Sequence, residues 1–145
     1  MRWVLPGQLA AGPYPRGGDV DELRAAGIDA FVDLTEAGEG GLPEYAPRLE
    51  GVEYRRLPIR DFAVPSPEEM ETILVALDDL LVRGRAVYLH CRGGIGRTGT
   101  VVGCYLIRHG RSAAEALASI DGPETDEQRA FVGAWPPVSD TFKGV

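Results

Sequence analysis

A chain of 145 residues, 44% apolar and 26% charged, has the material for one hydrophobic core of ordinary size. Its 22 acidic residues against 15 basic ones leave a net charge of −7, which speaks against a surface that binds nucleic acid or anionic membrane as a whole. Two cysteines, Cys91 and Cys104, are too few for a disulfide framework or a zinc site of their own. No apolar run approaches the roughly 20 residues of a membrane span, and Met1 to Pro6 lacks the apolar stretch of a secretory signal, so a cytoplasmic, reduced protein is expected.

The elements alternate along the chain. Apolar pieces over 3–12, broken by Pro6-Gly7 and Gly12-Pro13, predict a small hairpin. Asp19 to Ala26 reads as a short helix stopped by Gly27, with Val20, Leu23 and Ala26 on one face. Ile28–Leu34 and Val52–Ile59 read as strands, with a short helix over Pro43–Leu49 between them. Ser66 and Glu69 form a capping box with Pro67 at the first helical position, and Met70, Ile73, Leu74, Leu77, Leu80 and Leu81 continue the helix to Gly84. Ala86–Leu89 is apolar throughout, as a buried parallel strand is. Thr98–His109 predicts a helix apolar nearly all round, hence central. Helices from Ser112 to Ile120 and from Thr125 to Gly133 follow. Strands alternating with helices predict an α/β fold with a mostly parallel central sheet and helices on both faces. One domain is expected over 1–134, with a loose tail over 135–145 that carries Pro136-Pro137.

Chemistry concentrates in His90-Cys91-Arg92-Gly93-Gly94-Ile95-Gly96-Arg97-Thr98, which follows a buried strand and opens a buried helix. Three glycines among the five residues between Cys91 and Arg97 let the backbone curl. A curled loop at a helix N-terminus aims its N–H groups, and the positive end of the helix dipole, at one spot and so traps oxyanions. The backbone from Arg92 through Gly93, Gly94, Ile95 and Gly96 to Arg97 is the expected phosphate cradle. The same field favours a thiolate at Cys91, and the Arg97 fork holds two phosphate oxygens at once. A thiolate beneath a phosphate is placed for in-line attack on phosphorus, with a cysteinyl-phosphate as intermediate. Thr98, one residue on, is expected to donate its hydroxyl toward the Cys91 sulfur.

His90, Cys91, Arg97 and Thr98 together resemble the hallmark of the protein tyrosine phosphatase superfamily: His-Cys, five residues, Arg, then Ser or Thr. Pro58-Ile59-Arg60-Asp61-Phe62-Ala63-Val64-Pro65, ending a strand thirty residues before Cys91, is similar to the acid loop of the dual-specificity branch, the kinase-associated phosphatases in particular. The resemblance covers residues 3 to about 133 and implies a single-domain cysteine-phosphatase fold. It implies Asp61 as the general acid, which protonates the leaving oxygen and then takes a proton from water. An acid before the cysteine in chain order separates this group from low-molecular-weight tyrosine phosphatases, arsenate reductases and rhodanese-type sulfurtransferases.

Other residues carry plainer readings. His90 is expected to hydrogen-bond loop backbone and steady Cys91 rather than transfer protons. Gln128 stands near the place where larger tyrosine phosphatases keep a water-orienting Gln, but an exposed helix residue is the expectation. Cys104 and the tryptophans Trp3 and Trp135 are expected to pack. The resemblance places Arg92 at the pocket rim. Arg55 and Arg56 fit a solvated strand end or a substrate-facing patch equally well. Tyr45, Tyr54 and Phe62 are candidates for an aromatic clamp on a substrate ring.

The sequence thus points to a cysteine-dependent protein phosphatase acting on phosphotyrosine, with phosphoserine and phosphothreonine as further substrates. It implies a phosphorylated protein or peptide as partner, neither nucleic acid nor membrane, no metal or other cofactor, and a monomer. The alternatives are a catalytically silent phosphate-binding adaptor and a phosphatase of a phosphoinositide or of an RNA 5′-phosphate.

Overall fold

The computed structural model describes residues 1–46 and 49–136. β1 (Arg2–Leu5) and β2 (Leu9–Gly12) form the N-terminal hairpin, followed by α1 (Asp19–Ala25) and β3 (Ala30–Asp33). A 3-10 turn at Glu39–Gly41 precedes β4 (Glu53–Arg56). Then come α2 (Pro67–Val82), β5 (Val87–His90), α3 (Gly96–Arg108), α4 (Ala113–Ala118) and α5 (Asp126–Ala134). The strand order in the sheet is β1-β2-β5-β3-β4, antiparallel only between β1 and β2. This is the single-domain α/β architecture the alternation predicted.

Strand periodicity divides the core into two faces. Leu9, Ala11, Ala30, Val32, Val87 and Leu89 point to one side, where α2, α3, α4 and α5 pack through Leu74, Leu77, Val101, Cys104, Ala116 and Val132. Ala10, Phe31 and Tyr88 point to the other, against Val20 and Leu23 of α1. α3 is the buried central helix, with Gly96 through Tyr105 and Ile107 all inside. It begins two residues before the expected Thr98. The capping boxes at Ser66 and Ser112 are both formed, and so is a third at Thr125 with Gln128.

Two local expectations need correction. Of the short helix expected over Pro43–Leu49, residues 43–45 are not helical, Tyr45 being drawn into the second core face, and Ala46 lies in a 3-10 turn; Pro47 and Arg48 lie outside the described residues. Trp3 is exposed on edge strand β1 rather than packed. Trp135 packs against the core, as expected, and stacks on Phe131 with ring centroids 5.8 Å apart. Residues 137–145 lie outside the described residues.

Gly12, Asp33 and His90 stand side by side at the carboxyl ends of three parallel strands. In an open parallel sheet this edge is where loops meet and ligands bind. Every residue the sequence singled out for chemistry lies on or just beyond it.

Candidate active site

The chain leaves β5 at His90 and re-enters regular structure at Gly96, so Arg92–Ile95 must reverse within one tight curl. Cys91 sits at the floor, 3% exposed. The Gly94 N–H donates to its Sγ at 3.2 Å, at the positive end of α3. Gly94 adopts φ +77°, and a Cβ there would fall 2.4 Å from the carbonyl carbon of Gly12. Only glycine both takes that conformation and allows the loop to press on the end of β2. The Arg92 carbonyl accepts from Tyr14 N–H at 3.0 Å, and the Gly94 carbonyl accepts from both terminal nitrogens of Arg2 at 3.3 Å. The N-terminal segment therefore backs the curl at two peptides.

Arg97, 1% exposed, is held on several sides. Its two terminal nitrogens donate to the two oxygens of Glu39 at 2.7 Å each, and Nη1 also donates to the Ile59 carbonyl at 2.9 Å. The Asp61 Oδ1 lies 3.1 Å from Nη2. Among the described residues, Nε has no partner. The end-on edge of the guanidinium is thus occupied by Glu39, and the side-on edge formed by Nε and Nη2 is the one that can hold two oxygens of an anion. The Arg97 hydrogen bonds keep the Glu39 carboxyl below the usual carboxylate range.

Asp61 hangs from the loop between β4 and α2, where Phe62 N–H donates to its Oδ1 at 3.0 Å. Phe62 has φ +62°, an uncommon conformation for a residue with a side chain, and is 59% exposed. Gln128 ties this loop to α5. It is not the exposed helix residue the sequence suggested but is fully buried. Its Oε1 accepts from the N–H groups of Glu124 and Thr125 at 2.9 and 3.2 Å, and its Nε2 donates to the Ala63 carbonyl at 3.2 Å.

Behind the cysteine lies a buried polar network. His90 Nδ1 is 3.1 Å from the Cys91 carbonyl oxygen, which can only accept, so the proton resides on Nδ1. Nε2 then accepts from the Tyr45 hydroxyl. Burial lowers the affinity of His90 for a second proton, and burial likewise raises the Tyr45 pKa, so the ring is neutral and the phenol remains a donor. Asp33, also buried, accepts from Thr35 Oγ1 at 2.6 Å, Tyr54 at 2.5 Å and Arg56 at 3.2 Å. His90 is accordingly placed to brace the loop backbone.

The structure revises several expected partners. The Thr98 hydroxyl is buried and makes no hydrogen bond among the described residues, so the donor found on the Cys91 sulfur is the Gly94 amide. The Gly96 N–H, expected in the phosphate cradle, donates to Glu124 Oε1 at 3.1 Å. Arg92 is exposed, and its guanidinium lies over Gly40, where a Cβ would meet it at 2.9 Å. Arg56 pairs with Asp33 and Glu44, and Arg55 with Asp79 and Glu53. Of the three clamp candidates, Tyr45 is buried and Tyr54 is bound to Asp33, which leaves Phe62. Cys104 packs in the core, where burial pushes its thiol up. Glu39, Glu124 and Arg2 had no signal in the sequence, since each reaches the loop from a distant segment without a motif.

Comparison with known proteins gives this geometry a context. A family model described as the Swiss Army Knife protein, DSP-PTPase phosphatase domain (PTP-SAK), matches residues 1–133. Protein 067L of Invertebrate iridescent virus 3, which carries a tyrosine phosphatase name, is 40% identical over 99 residues. Phosphatidylglycerophosphate phosphatase PTPMT2 of Arabidopsis thaliana is 31% identical over 112 residues. These alignments cover 66% and 75% of this chain but only 40% and 49% of the two relatives, so the chain spans less than half their length. The crystal structure of Tk-PTP in the active form is 36% identical and superposes with a TM-score of 0.79, covering 87% of this chain and 89% of that one.

Proposed function

The chain belongs to the DSP-PTPase family of phosphatase domains, and on that premise we propose that it hydrolyses phosphomonoesters through a cysteinyl-phosphate, with phosphotyrosine in a protein or peptide as the substrate. The observation that carries this is the convergence on one guanidinium. Arg97 follows the Cys91 loop, is gripped by Glu39, and has Asp61 within 3.1 Å. On this reading nucleophile, anion holder and acid act on one substrate.

In the first step the phosphate lies on the side-on edge of Arg97 and on the loop amides. Its oxygens take the Nη2 position beside Asp61, so the carboxyl is released toward the leaving group. The Cys91 sulfur attacks phosphorus in line; the P–S bond forms as the P–O bond breaks, and the proton of Asp61 goes to the departing oxygen. Negative charge on the transferring group is held by Arg97 and the backbone donors. In the second step the Asp61 carboxylate takes a proton from water, whose oxygen attacks phosphorus. The P–S bond breaks and the sulfur leaves as thiolate. Thr98, whose hydroxyl has no hydrogen-bond partner among the described residues, supplies a donor to that sulfur, and His90 keeps the loop backbone in place.

Phe62 favours an aryl substrate. An exposed ring next to the acid gives a phenyl phosphate a flat apolar surface, which a phosphoserine does not use. The name of the plant relative supports a second reading, a phosphatidyl phosphate monoester.

Hydrolysis of p-nitrophenyl phosphate by wild type and Cys91→Ser tests the chemistry. Turnover in the wild type and none in the variant, with phosphate binding retained in both, is expected. Substantial turnover by the variant would remove Cys91 as nucleophile, and binding without turnover in the wild type would establish the silent adaptor instead. A panel of phosphotyrosine, phosphoserine and phosphothreonine peptides and phosphatidylglycerophosphate then separates the substrate classes.

A further inference from the structure

The geometry points to Arg2 as a positioning residue for anion binding: by holding the Gly94 carbonyl outward, it turns the Ile95 N–H into the phosphate cradle. This rests on the phosphatase reading above and names a residue for it at the other end of the chain.

In a trans peptide unit the C=O and the following N–H point in opposite directions. Anchoring one therefore aims the other. The Gly94 carbonyl receives two hydrogen bonds, from Nη1 and Nη2 of Arg2, each 3.3 Å. The N–H of the same peptide unit belongs to Ile95. One turn of the curl earlier the arrangement repeats: Tyr14 N–H holds the Arg92 carbonyl at 3.0 Å, and the N–H of that unit belongs to Gly93. Among the described residues, neither Gly93 N–H nor Ile95 N–H donates to a protein acceptor, whereas Gly94 N–H and Gly96 N–H are engaged by Cys91 and Glu124. Of the loop amides with no protein acceptor among the described residues, those of Arg92, Gly93, Ile95 and Arg97, the two inside the curl are the two whose peptide units are pinned by the N-terminal segment.

The pins differ in kind. Tyr14 acts through its backbone N–H, which any residue but proline supplies. Arg2 acts through a side chain that must span from edge strand β1 to the loop, and its Nε faces Asp121 at 3.5 Å. A charged fork is required because the Gly93-Gly94 pair offers little conformational resistance to rotation of the next peptide. Loss of Arg2 leaves the Ile95 amide free to turn away from the cradle, at no cost to the sulfur or to Arg97.

The experiment compares wild type, Arg2→Met, which keeps the apolar stem, and Arg2→Lys, which restores one charged donor. The readouts are orthovanadate affinity, KM and kcat for p-nitrophenyl phosphate, melting temperature, and the Ile95 amide NMR resonance on titration with inorganic phosphate. Arg2→Met is expected to weaken vanadate binding about tenfold and to raise KM more than it lowers kcat, the loss of about one charge-assisted hydrogen bond. Arg2→Lys is expected to recover part of this. The Ile95 resonance should move with phosphate in the wild type and much less in Arg2→Met. A lower melting temperature with unchanged vanadate affinity and an unchanged Ile95 response would make Arg2 a merely structural brace and overturn the inference. Should Arg2→Met fail to fold, Arg2→Lys and Asp121→Asn decide: wild-type vanadate affinity in both overturns it, and weakening in either supports it. A wild type that binds vanadate and turns over while the variants match it defeats only the Arg2 inference. A wild type that does neither defeats the phosphatase reading and with it any cradle for Arg2 to hold.

Discussion

Both oxygens of the Glu39 carboxylate meet the terminal nitrogens of Arg97 at 2.7 Å, so the buried guanidinium is fixed in plane and direction before any anion arrives. Glu39→Gln keeps the shape but replaces a charge with an amide that can accept at one atom only. Loss of alignment at this arginine is expected to lower kcat/KM for an aryl phosphate by about a hundredfold, the scale of an ångström-size misplacement. Vanadate affinity should fall with it. The pH dependence has a defined sign. Arg97 hydrogen bonding holds the Glu39 carboxyl below its ordinary range, so the pair is fully formed above that range and is lost only as the pH falls through the lowered value. Vanadate binding by the wild type should therefore persist to more acidic pH than an unpaired carboxylate at this place would allow.

Asp61 shares Nη2 of the same guanidinium at 3.1 Å. If it is the proton donor, Asp61→Asn should cost about a hundredfold or more in kcat for alkyl or unactivated aryl phosphates. Substrates with good leaving groups should lose far less, because their oxygen departs without a proton. Equal losses across a leaving-group series would place the acid elsewhere.

How far these residues could be read in the sequence follows from how local their signals are. Ser66, Ser112 and their glutamates announce helix starts within four residues, and the strands show their two faces by alternation. Cys91, Arg97 and the glycines between them are contiguous, so the curl between β5 and α3 was legible, while the turn of the Gly96 amide to Glu124 was not. Glu39 reaches Arg97 across 58 positions and Arg2 reaches Gly94 across 92. No periodicity or motif marks either, since what selects them is the tertiary position of a loop and an edge strand. Gln128 misled for a related reason. Its helix looks solvated, but the loop that carries Asp61 covers that one side chain. Tyr45, read as part of a short helix, is claimed by the His90 network instead.

Gln128 also allows its accepting and donating ends to be separated. Gln128→Glu retains an oxygen for the Glu124 and Thr125 amides but loses the Nε2 donor to Ala63. Gln128→Ala loses both. The first is expected to reduce kcat for poor leaving groups, by letting the loop that carries Asp61 drift, and to lower the melting temperature, because it buries a carboxylate against the Ala63 carbonyl and beside Glu124. The second buries no charge, and its stability loss of about 1 kcal/mol comes from the acceptor withdrawn from the helix start. Thermal unfolding beside a leaving-group series distinguishes the tether from the cap.

Gly94→Ala carries the strongest structural prediction. The residue has φ +77°, its missing Cβ would lie 2.4 Å from Gly12 C and 2.6 Å from Gly12 O, and its N–H faces the Cys91 sulfur. An alanine there meets rigid backbone rather than a side chain that can move aside, so either the loop or the end of β2 must shift. The conformational penalty alone exceeds about 1 kcal/mol, and the contact adds to it. The loop is the softer of the two, because the end of β2 is paired to β5 through Gly12 and His90. The expected outcome is a folded protein with a lowered melting temperature, whose thiol at Cys91 is alkylated by iodoacetamide without protection from vanadate. Wild-type protection in Gly94→Ala would mean that the curl tolerates a side chain at its tightest point, and that its close approach to β2 is not what holds the cradle in shape.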